Sequence, residues 1–481
     1  MPKSLGTYLE DVKRRAPNEF LSIEKTVHPA NYDVTAIIKH LDAMRKFPVL
    51  VFENPLGINK QPSEVRLCMN AEITQSKIQI ALDVPDTMDR VELAEECLRR
   101  EANPIKPVVI SSSEAPVHEV IKTGKDVNLH ELPIMRHHYM DGGPYIVMAS
   151  VGKDRETGIY NTSYHRMEVK GPNLTTFYLS PRHMWKIFKG YEDHNEECPC
   201  ITVLGHHPAF NMGAAYKGPF EVDEYEIIGG YLQEPLRLTP SVTWGEDFLV
   251  PADAEIIIEG AILPNKRLVD GPFGEAPGYL GPQRASNSLY YEIRAITYRK
   301  GAMMQSFITP EGDKPWLDLP REAAYLRRVR EAVPTTKAVC KGGRHAHYNI
   351  FISMKKMAEG DPYRAAMAAM TFDHTKNVFV FDEDINVFDP TDILWALATR
   401  VQPHEQVTII KQQLKGNMLD PSLRHDIKTS GMIIDATRPF GRPFSPVSKC
   451  PDEAMERIKL EDFISEQDLN RLPIDRTSYW A

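Results

Sequence analysis

The stretch Ile146-Val-Met-Ala-Ser-Val151 (IVMASV) is a short apolar run between turn-forming residues, a combination that favours a buried β-strand. Similar runs follow along the chain, at Thr175–Leu179, Ile201–Leu204 and Ala254–Glu259. Glycine and proline separate these runs, so residues from about 105 to 310 are predicted to form successive strands and loops. One short helix, from about Arg182 to Gly190, is expected to interrupt them.

The chain on either side of this β region is patterned differently. Toward the N terminus we expect a buried strand at Pro48–Phe52 and helices at Ser4–Arg15, Tyr32–Arg45 and Asp86–Arg100. Toward the C terminus, predicted helices at 321–332, at 362–372 and after Asp389 alternate with predicted strands at 347–353, 377–381 and 406–410. Strands that alternate with helices of this length imply a parallel or mixed α/β sheet, with a domain boundary near residue 315.

Composition limits the classes of protein that the chain can represent. The 481 residues exceed what one hydrophobic core usually holds, so two or three domains are expected. The formal net charge of −9 gives no support to a nucleic-acid-binding or membrane-binding surface, which would need a basic patch. We find no membrane-spanning run and no signal-peptide core, and we expect a cytoplasmic protein. The six cysteines do not make a disulfide framework, and we interpret them as reduced thiols.

The segment Asp270-Gly-Pro-Phe-Gly-Glu-Ala-Pro-Gly-Tyr-Leu280 places two carboxylates five positions apart among glycine, proline and aromatic residues. This composition argues against a regular helix or a long strand. Asp270 and Glu275 can be solvated turn residues, because turns favour Asp, or they can be two acids aimed at a shared partner. The segment alone leaves both interpretations open.

A second polar segment, Asn161-Thr-Ser-Tyr-His-Arg166, is predicted to form a strand. A strand crowded with polar side chains builds a poor core, because each buried polar group needs a partner. It therefore lies on the surface or lines a site. In Ser180-Pro-Arg-His-Met-Trp185, Pro181 suits a helix start and places Arg182 and His183 in the first turn. Such a helix terminus is an ordinary helix entrance or an anion site, to which Arg182 would add a planar fork for phosphate.

The acidic run Glu221-Val-Asp-Glu-Tyr-Glu226 follows a stretch of small residues, Met212-Gly-Ala-Ala215. A run of charges is usually a solvated face. If one of its carboxylates meets His183 and Asn161, however, the result is an oxygen-rich site with a single imidazole, which suits Mn²⁺ or Mg²⁺ better than Zn²⁺. Such a site could hold a cofactor phosphate.

Other patterns argue against several common chemistries. His345 and His347 have no evident third metal ligand, and a polar strand end is the simpler interpretation. There is no Walker A loop, no G-x-G-x-x-G after a predicted strand and no G-x-S-x-G elbow. Nucleoside triphosphate chemistry and a Rossmann-type fold are therefore not indicated.

Taken in order, these segments resemble the UbiD family of reversible decarboxylases, which use prenylated FMN. The family carries an Asn-x-Ser-x-x-Arg strand, a His at the next helix, a Glu-Tyr pair in an acidic segment and an acid-Gly-Pro-aromatic-Gly-acid loop. The matching positions here are Asn161 to Arg166, His183, Glu224-Tyr225 and Asp270 to Glu275. Asp382 to Arg400 also looks like the family's C-terminal domain, so the resemblance covers nearly the whole chain.

The resemblance implies a cofactor site. Asn161, His183 and Glu224 would bind Mn²⁺ (or Mg²⁺), with K⁺ nearby, and the metal would hold the phosphate of prenylated FMN. Further contacts to the cofactor would come from Ser163, Tyr164, Ala214 and Ala215, with Arg182 and Lys415 as additional candidates.

The resemblance also implies a catalytic triad of Asp270, Arg166 and Glu275. Asp270 would pair with Arg166, Arg166 would orient the substrate carboxylate, and Glu275 would handle the proton. The chemistry explains these residue types, because one acid must stay charged against the arginine while the other gains and loses a proton. The family often has Glu at the first position, and Asp270 is one methylene shorter.

The expected architecture is α+β and α/β. A β-rich, split-barrel-like flavin-binding domain would cover 1–315, and an α/β domain that makes a homodimer or higher oligomer would cover 316–450. Residues 451–481 would form a C-terminal helix, near 451–463, and a tail. The expected activity is decarboxylation of a small aromatic or heteroaromatic acid, with a flavin prenyltransferase supplying the cofactor. A non-catalytic flavin-binding subunit of a larger complex and an ordinary FMN oxidoreductase are the alternatives.

Overall fold

The computed structural model describes residues 2–280, 286–308, 315–342, 346, 348–415, 419–423, 428–448 and 450–471. The N-terminal segment alternates short helices and strands: α1 (Leu5–Arg15), β1 (Phe20–Ile23), α2 (Asp33–Ala43), β2 (Val49–Phe52), β3 (Arg66–Met69), α3 (Gln75–Leu82) and α4 (Arg90–Glu101). Ser4 caps α1 by accepting the Thr7 N–H, and Asp89 caps α4 by accepting the Glu92 N–H. Because Asp89 is the cap, α4 begins at Arg90, four residues after the predicted start at Asp86.

The middle of the chain is mostly β. Its elements are β4 (Val108–Val109), β5 (Val120–Thr123), β6 (Tyr145–Lys153), β7 (Tyr160–Gly171), β8 (Leu174–Phe177), α5 (His183–Glu192), β9 (Cys198–Val203), α6 (Pro208–Gly213), α7 (Glu224–Leu232), β10 (Arg237–Ser241), β11 (Gly245–Pro251), β12 (Ile256–Asp270), β13 (Ser286–Tyr298) and β14 (Met303–Gln305). The predicted strand at 254–259 is therefore only the start of the long strand β12, and Asp270 is its last residue.

Six of these strands close into a barrel. They pair in the order β12-β9-β6-β7-β8-β13, every neighbouring pair is antiparallel, and β13 returns to pair with β12. The register of β12 on β13 shifts between Glu259 and Gly260, where a Cβ on Gly260 would collide with the carbonyl oxygen of Glu292. The absence of a side chain at Gly260 thus permits the close approach that bends these two strands around the barrel.

Two smaller sheets flank the barrel. The strands β1, β2, β3 and β14 form one sheet in that order, so the end of the barrel segment pairs with the N-terminal segment. The strands β11, β10 and β4 form the other. The largest hydrophobic cluster takes in residues from the N-terminal segment, the barrel and the C-terminal sheet.

The C-terminal segment is an α/β unit. Its elements are α8 (Pro315–Ala332), β15 (Thr336–Lys341), β16 (Asn349–Met354), α9 (Asp361–Ala369), β17 (Asn377–Asp382), α10 (Pro390–Arg400), α11 (Pro403–Gln406), β18 (Val407–Lys415) and β19 (Lys428–Ala436), followed by α12 (Asp452–Arg457) and α13 (Glu466–Arg471). The strands form one mixed sheet in the order β15-β16-β17-β19-β18, with parallel pairs at its centre and antiparallel pairs at both edges.

The predicted fold class is confirmed, because a closed β-barrel unit precedes a C-terminal α/β sheet. The alternating strand and helix pattern after residue 315 predicted a parallel or mixed sheet, and the sheet is mixed. In the tail, the expected helix at 451–463 is limited to α12 and a single turn at Leu460–Asp462. Among the described helices, none has the length and apolar character needed to cross a lipid bilayer.

Candidate active site

Arg166 and Asp270 form a buried ion pair inside the barrel unit. Arg166 lies in β7 opposite Val147 of β6, and Asp270 ends β12. Arg166 donates to Oδ2 of Asp270 from Nε at 3.2 Å and from Nη2 at 2.9 Å. Asp270 is fully buried and Arg166 is 7% exposed. A carboxylate and a guanidinium that are both taken out of water are held together strongly, because separating them would leave a buried charge.

The second oxygen of Asp270 meets two hydroxyl groups. Thr176 of β8 donates from Oγ1 to Oδ1 at 2.8 Å, and the Tyr145 hydroxyl lies 3.3 Å from the same oxygen. Tyr145 also lies 3.1 Å from Oε2 of Glu168, which accepts the Gly271 N–H at 3.0 Å. Burial and the charges of Asp270 and Glu168 raise the pKa of Tyr145, so this hydroxyl keeps its proton and acts as a donor.

Glu275 reaches the same guanidinium from the other side. Its carboxylate contacts Nη1 of Arg166, and Glu275 as a whole is 8% exposed. The backbone around it is tightly folded, since Glu275 N–H donates to the Tyr279 carbonyl oxygen and Gly278 N–H donates back to Glu275. Asp270 and Glu275 therefore share one arginine, which settles the geometric question that their spacing raised.

Aromatic rings line the guanidinium. The ring of Tyr178 lies 4.1 Å from the central carbon of Arg166, and the ring of Phe273, in the acid loop itself, lies 5.5 Å away. Phe273 packs in turn on Tyr145 at 4.4 Å between ring centroids. These rings limit the access of water to the charges and restrict the orientation of the Arg166 guanidinium.

Glu224 anchors a second polar group at the start of α7. One carboxylate oxygen accepts the side-chain amide of Asn161 at 2.8 Å, and the other accepts both the N–H and the hydroxyl of Thr162, the hydroxyl at 2.9 Å. Asp223 caps this helix by accepting the Tyr225 N–H. Burial raises the pKa of the Glu224 carboxyl, while Thr162 and the neighbouring Lys217 oppose that rise.

His183 is the first residue of α5, one residue after the predicted start, so Arg182 lies at the N-cap position and not in the first turn. Its imidazole packs on the ring of Phe220, with 5.4 Å between centroids. Burial and the nearby charge of Lys217 lower the pKa of His183, which favours the neutral ring that a metal ion requires. Lys217 is thus an electrostatic neighbour of both His183 and Glu224. Among the described residues, no group of three or more His, Cys, Asp or Glu side chains is arranged to hold a metal ion.

The other predicted site residues have contacts of their own. Arg182 directs its guanidinium toward the C-terminal segment, with Nε 3.0 Å from Asp373 and Nη2 2.6 Å from His374. Ser163 shares a 2.7 Å hydrogen bond with His165, and Tyr164 donates to the Asn211 carbonyl oxygen at 3.0 Å. Ala214 and Ala215 are buried just after α6. Lys415 is the last residue of β18, and its side chain lies outside the described part of the structure. His345 and His347 also lie outside the described residues.

Several residues of the site escaped the sequence patterns. Glu168 was available from spacing, because it lies two positions after Arg166 in the same strand and so on the same face. Thr176, Tyr145 and Lys217 were not, since each comes from an element that pairs with the site only through the barrel topology or a loop. Thr176 is the second of two consecutive threonines in a predicted strand, and nothing in the sequence distinguishes it from Thr175.

Two family models match consecutive parts of the chain. The Rift-related domain of 3-octaprenyl-4-hydroxybenzoate carboxy-lyase (UbiD) matches residues 108–312, and the C-terminal domain of the same enzyme matches residues 316–436. Together these models account for well over half of the chain.

Two decarboxylases are among the proteins that the chain resembles. Anhydromevalonate phosphate decarboxylase of Methanothermobacter thermautotrophicus is 31% identical over 400 residues, covering 81% of this chain and 92% of the relative. Phenolic acid decarboxylase of Streptomyces sp. is 28% identical over 437 residues, covering 87% and 90%.

The solved structure of the UbiD-class enzyme HmfF from Pelotomaculum thermopropionicum with FMN superposes with a TM-score of 0.85 at 34% identity, covering 96% of this chain and 100% of that one. An evolved dimeric form of that enzyme, solved with prFMN, gives a TM-score of 0.82 at 32% identity, covering 96% and 100%.

Proposed function

The chain belongs to the UbiD family of carboxy-lyases, and we propose that it decarboxylates an aromatic or heteroaromatic carboxylic acid with the aid of prenylated FMN. The observation that carries this proposal is the buried arrangement of Asp270, Arg166 and Glu275, in which two acids contact different nitrogens of one guanidinium.

The two acids have different surroundings, and we assign them different roles. Asp270 accepts two hydrogen bonds from Arg166 on one oxygen and faces the Thr176 and Tyr145 hydroxyls with the other. These donors occupy the positions that a carboxyl proton would need. We therefore assign to Asp270 the role of the acceptor that fixes the guanidinium.

Glu275 is the acid that exchanges a proton. Among the described residues, its carboxylate contacts Nη1 of Arg166, the nitrogen to which Asp270 does not bind. A protonated Glu275 releases Nη1, which can then bind a substrate carboxylate. After loss of CO₂, the same carboxyl lies close to the vacated carbon and can donate the proton that replaces CO₂.

We assign the cofactor phosphate to the group formed by Asn161, His183 and Glu224. Loss of CO₂ from an sp² carbon needs an electron sink, and bound prenylated FMN would supply one. The donor types, one amide, one imidazole and one carboxylate, suit Mn²⁺ or Mg²⁺. The direct contact of Asn161 with Glu224 supports this assignment, as does the neutral state favoured for His183. A nearby K⁺ is part of the same proposal.

Further contacts to the cofactor are assigned to residues beside this group. They are Ser163, Tyr164, Arg182, Ala214, Ala215 and Lys415. The Arg182 contacts with Asp373 and His374 give it a second role, because they link the start of α5 to the C-terminal segment.

The aromatic class of substrate is supported by two observations. The rings of Tyr178 and Phe273 flank Arg166, so a planar acid bound at Nη1 meets an aromatic wall. One relative is a phenolic acid decarboxylase. Because another relative acts on a phosphorylated compound, the substrate panel must contain both kinds of acid.

The experiment that tests the function uses protein co-expressed with a flavin prenyltransferase. Aromatic, heteroaromatic and phosphorylated aliphatic acids are incubated with it and scored for CO₂ release and for H/D exchange at the product carbon. We expect turnover of at least one aromatic acid. Turnover of a phosphorylated aliphatic acid alone would contradict the substrate class. An ordinary flavin spectrum without any decarboxylation would favour an FMN oxidoreductase.

The molecular setting is proposed on the same basis. We propose a catalytic domain at 1–315, an α/β dimerisation domain at 316–450 and a tail at 451–481, in a homodimer or higher homo-oligomer of the cytoplasm. The breaks between the two family models and between the two sheets near residue 315 support this division.

A further inference from the structure

The acid loop, residues 270–275, packs against a second loop that the proposed chemistry does not use. This second loop, residues 136–143, precedes β6. The Gly142 N–H donates to the Pro272 carbonyl oxygen at 2.8 Å. A Cβ on Gly142 would lie 2.7 Å from both the Gly271 carbonyl oxygen and a carboxylate oxygen of Glu168, so the two loops approach as closely as backbones without side chains allow.

Asp141 is the buried acid of this second loop, and both of its oxygens are engaged. Oδ2 accepts the N–H groups of His137, at 3.1 Å, and His138, at 2.7 Å. Oδ1 crosses to the acid loop and accepts the Gly274 N–H at 2.9 Å. Asp141 is 1% exposed, so these bonds replace water that the carboxylate has lost.

The contacts around this bond leave the acid loop little freedom. The ring of Phe273 meets those of His137 and His138, at 5.6 and 6.2 Å between centroids. A Cβ on Gly274 would collide with the imidazole of His138. Gly274 is therefore held by a hydrogen bond on one side and by a ring on the other, and Glu275 is the next residue.

We infer that Asp141 is a positioning residue, which fixes the backbone at Gly274 and thereby holds the Glu275 carboxyl at Nη1 of Arg166. The inference rests on the proton-transfer role proposed for Glu275. Burial opposes the charge of Asp141, but His138, His137 and the Gly274 amide together lower its pKa, so the acceptor is ionised at neutral pH. Displacement of a reacting group by about 1 Å can cost about a hundredfold in rate, so a single buried bond at this place matters.

The variant Asp141→Asn tests the inference in the flavin-loaded enzyme. It keeps the size of the side chain but points an amide N–H₂ at one of the N–H groups that Asp141 now accepts. We expect kcat to fall by about tenfold or more while the dissociation constant of FMN stays close to that of the wild type. The cooperative melting transition should be retained, at a temperature lowered by the loss of one buried hydrogen bond. KM should change little, because Arg166 keeps its pairing with Asp270.

The matched control is Asp435→Asn. Asp435 is also a buried acid that accepts a backbone N–H, from Thr437 at 3.0 Å, but it lies at the end of β19 in the C-terminal sheet. Its kcat should equal that of the wild type. A second variant, Gly274→Ala, disturbs the same contact from the other side and should reproduce the kcat defect while FMN stays bound.

The outcomes separate this inference from the proposed function. If Asp141→Asn leaves kcat within about twofold of the wild type, Asp141 does not position Glu275. If Asp141→Asn and Gly274→Ala both lose FMN binding or the melting transition, the contact is purely structural and the inference is also wrong. If Glu275→Gln is itself fully active, the proposed role of Glu275 fails, whatever Asp141 does.

Discussion

At the scale of single residues, the short side chain of Asp270 reaches Arg166 directly. The strand end at Asp270 brings its carboxylate directly onto Nε and Nη2 of Arg166, and Thr176 orients the other oxygen. The Asp270 side chain is one methylene shorter than that of glutamate, and one of its oxygens still accepts two hydrogen bonds from Arg166. In the proposed function, this arrangement would give Asp270 the fixed charge and Glu275 the movable proton.

Thr176 is expected to be essential for that arrangement. Its Oγ1 donates to Asp270 and accepts the Glu168 N–H at 2.9 Å, in a fully buried position. Thr176→Val keeps the shape but leaves that N–H unpaired, which should lower the free energy of unfolding by about 1–3 kcal/mol and reduce kcat. Thr176→Ser is the control and should retain both the free energy of unfolding and the kcat of the wild type. Urea unfolding and steady-state kinetics measure the two effects, and equal stability of the Val and Ser variants would contradict the prediction.

Part of this site could be predicted from the sequence. The polar strand at 161–166, the helix start at His183 and the acids at 270 and 275 were all visible as residues that a core or a simple turn does not need. Their convergence was implied by a family resemblance rather than by spacing. Tyr145, Thr176 and Asp141 could not be found in this way, because their roles depend on which strands and loops are neighbours in the closed barrel.

At the scale of elements, β7 presents polar side chains of the site on both of its faces. Arg166 and Glu168 alternate with His165 along the strand, so the ion pair lies on one face, and His165 bonds back to Ser163 on the other. Burial lowers the pKa of His165 to about 3, so this imidazole stays neutral. One strand can therefore contribute both to the acid–arginine triad and to the group at Asn161 and Glu224.

Element bounds were predicted best where a cap or a breaker marks the end. Ser4 and Asp389 cap helices that begin at the next residue, as their sequence positions indicated. The strands β15 and β19 were missed, since each has an apolar run of only three residues, Ala338–Cys340 and Met432–Ile434. The length of β12 was also missed, because its second half is polar and partly exposed and is a strand only through its pairing with β13.

A buried polar cluster joins three elements behind the site. Oε1 of Glu72, just after β3, accepts the side-chain amides of Asn211 in α6 and Gln305 in β14, the latter at 2.6 Å. Burial raises the pKa of Glu72 to about 7, and the two amides only partly offset that rise. The folded protein therefore favours the protonated carboxyl.

This cluster predicts a pH dependence of stability. Because the folded pKa of Glu72 lies above its ordinary value, the stabilisation is complete below about pH 4.5 and is lost as the pH rises through about 7. Glu72→Gln cannot ionise, so its stability relative to the wild type should increase between pH 5 and 8, by on the order of 3 kcal/mol. Urea unfolding of both proteins across this range measures the difference. A difference that does not change with pH would contradict the raised pKa.

At the scale of the whole molecule, the N-terminal segment is joined to the C-terminal segment by an ion pair whose carboxylate is buried. Arg90, the first residue of α4, donates from Nε at 2.8 Å and from Nη2 at 3.1 Å to the two oxygens of Glu322 in α8. One of these oxygens also accepts the Lys341 N–H at 2.9 Å. The chain therefore does not divide into units that are independent of each other, since residues far apart in sequence complete one another's polar groups.

Removal of Arg90 should destabilise the protein more than removal of a surface partner. Arg90→Ala leaves the buried Glu322 carboxylate without its cation, at a cost of about 3 kcal/mol. Arg155→Ala is the matched control, because Arg155 pairs in the same two-bond manner with Glu196, at 2.7 and 3.0 Å, on the exposed surface. That loss should stay below about 1 kcal/mol. Thermal or urea unfolding compares them, and equal losses would contradict the prediction.

The central claim is that Glu275 carries the proton while Asp270 holds Arg166. The most direct measurement compares Glu275→Gln with the wild type after reconstitution with prenylated FMN, recording CO₂ release together with flavin content. We predict that CO₂ release falls by about a hundredfold or more while flavin stays bound, because the Gln amide can still contact the site but cannot supply a proton. A Glu275→Gln enzyme that carries flavin and releases CO₂ at the wild-type rate would contradict the account.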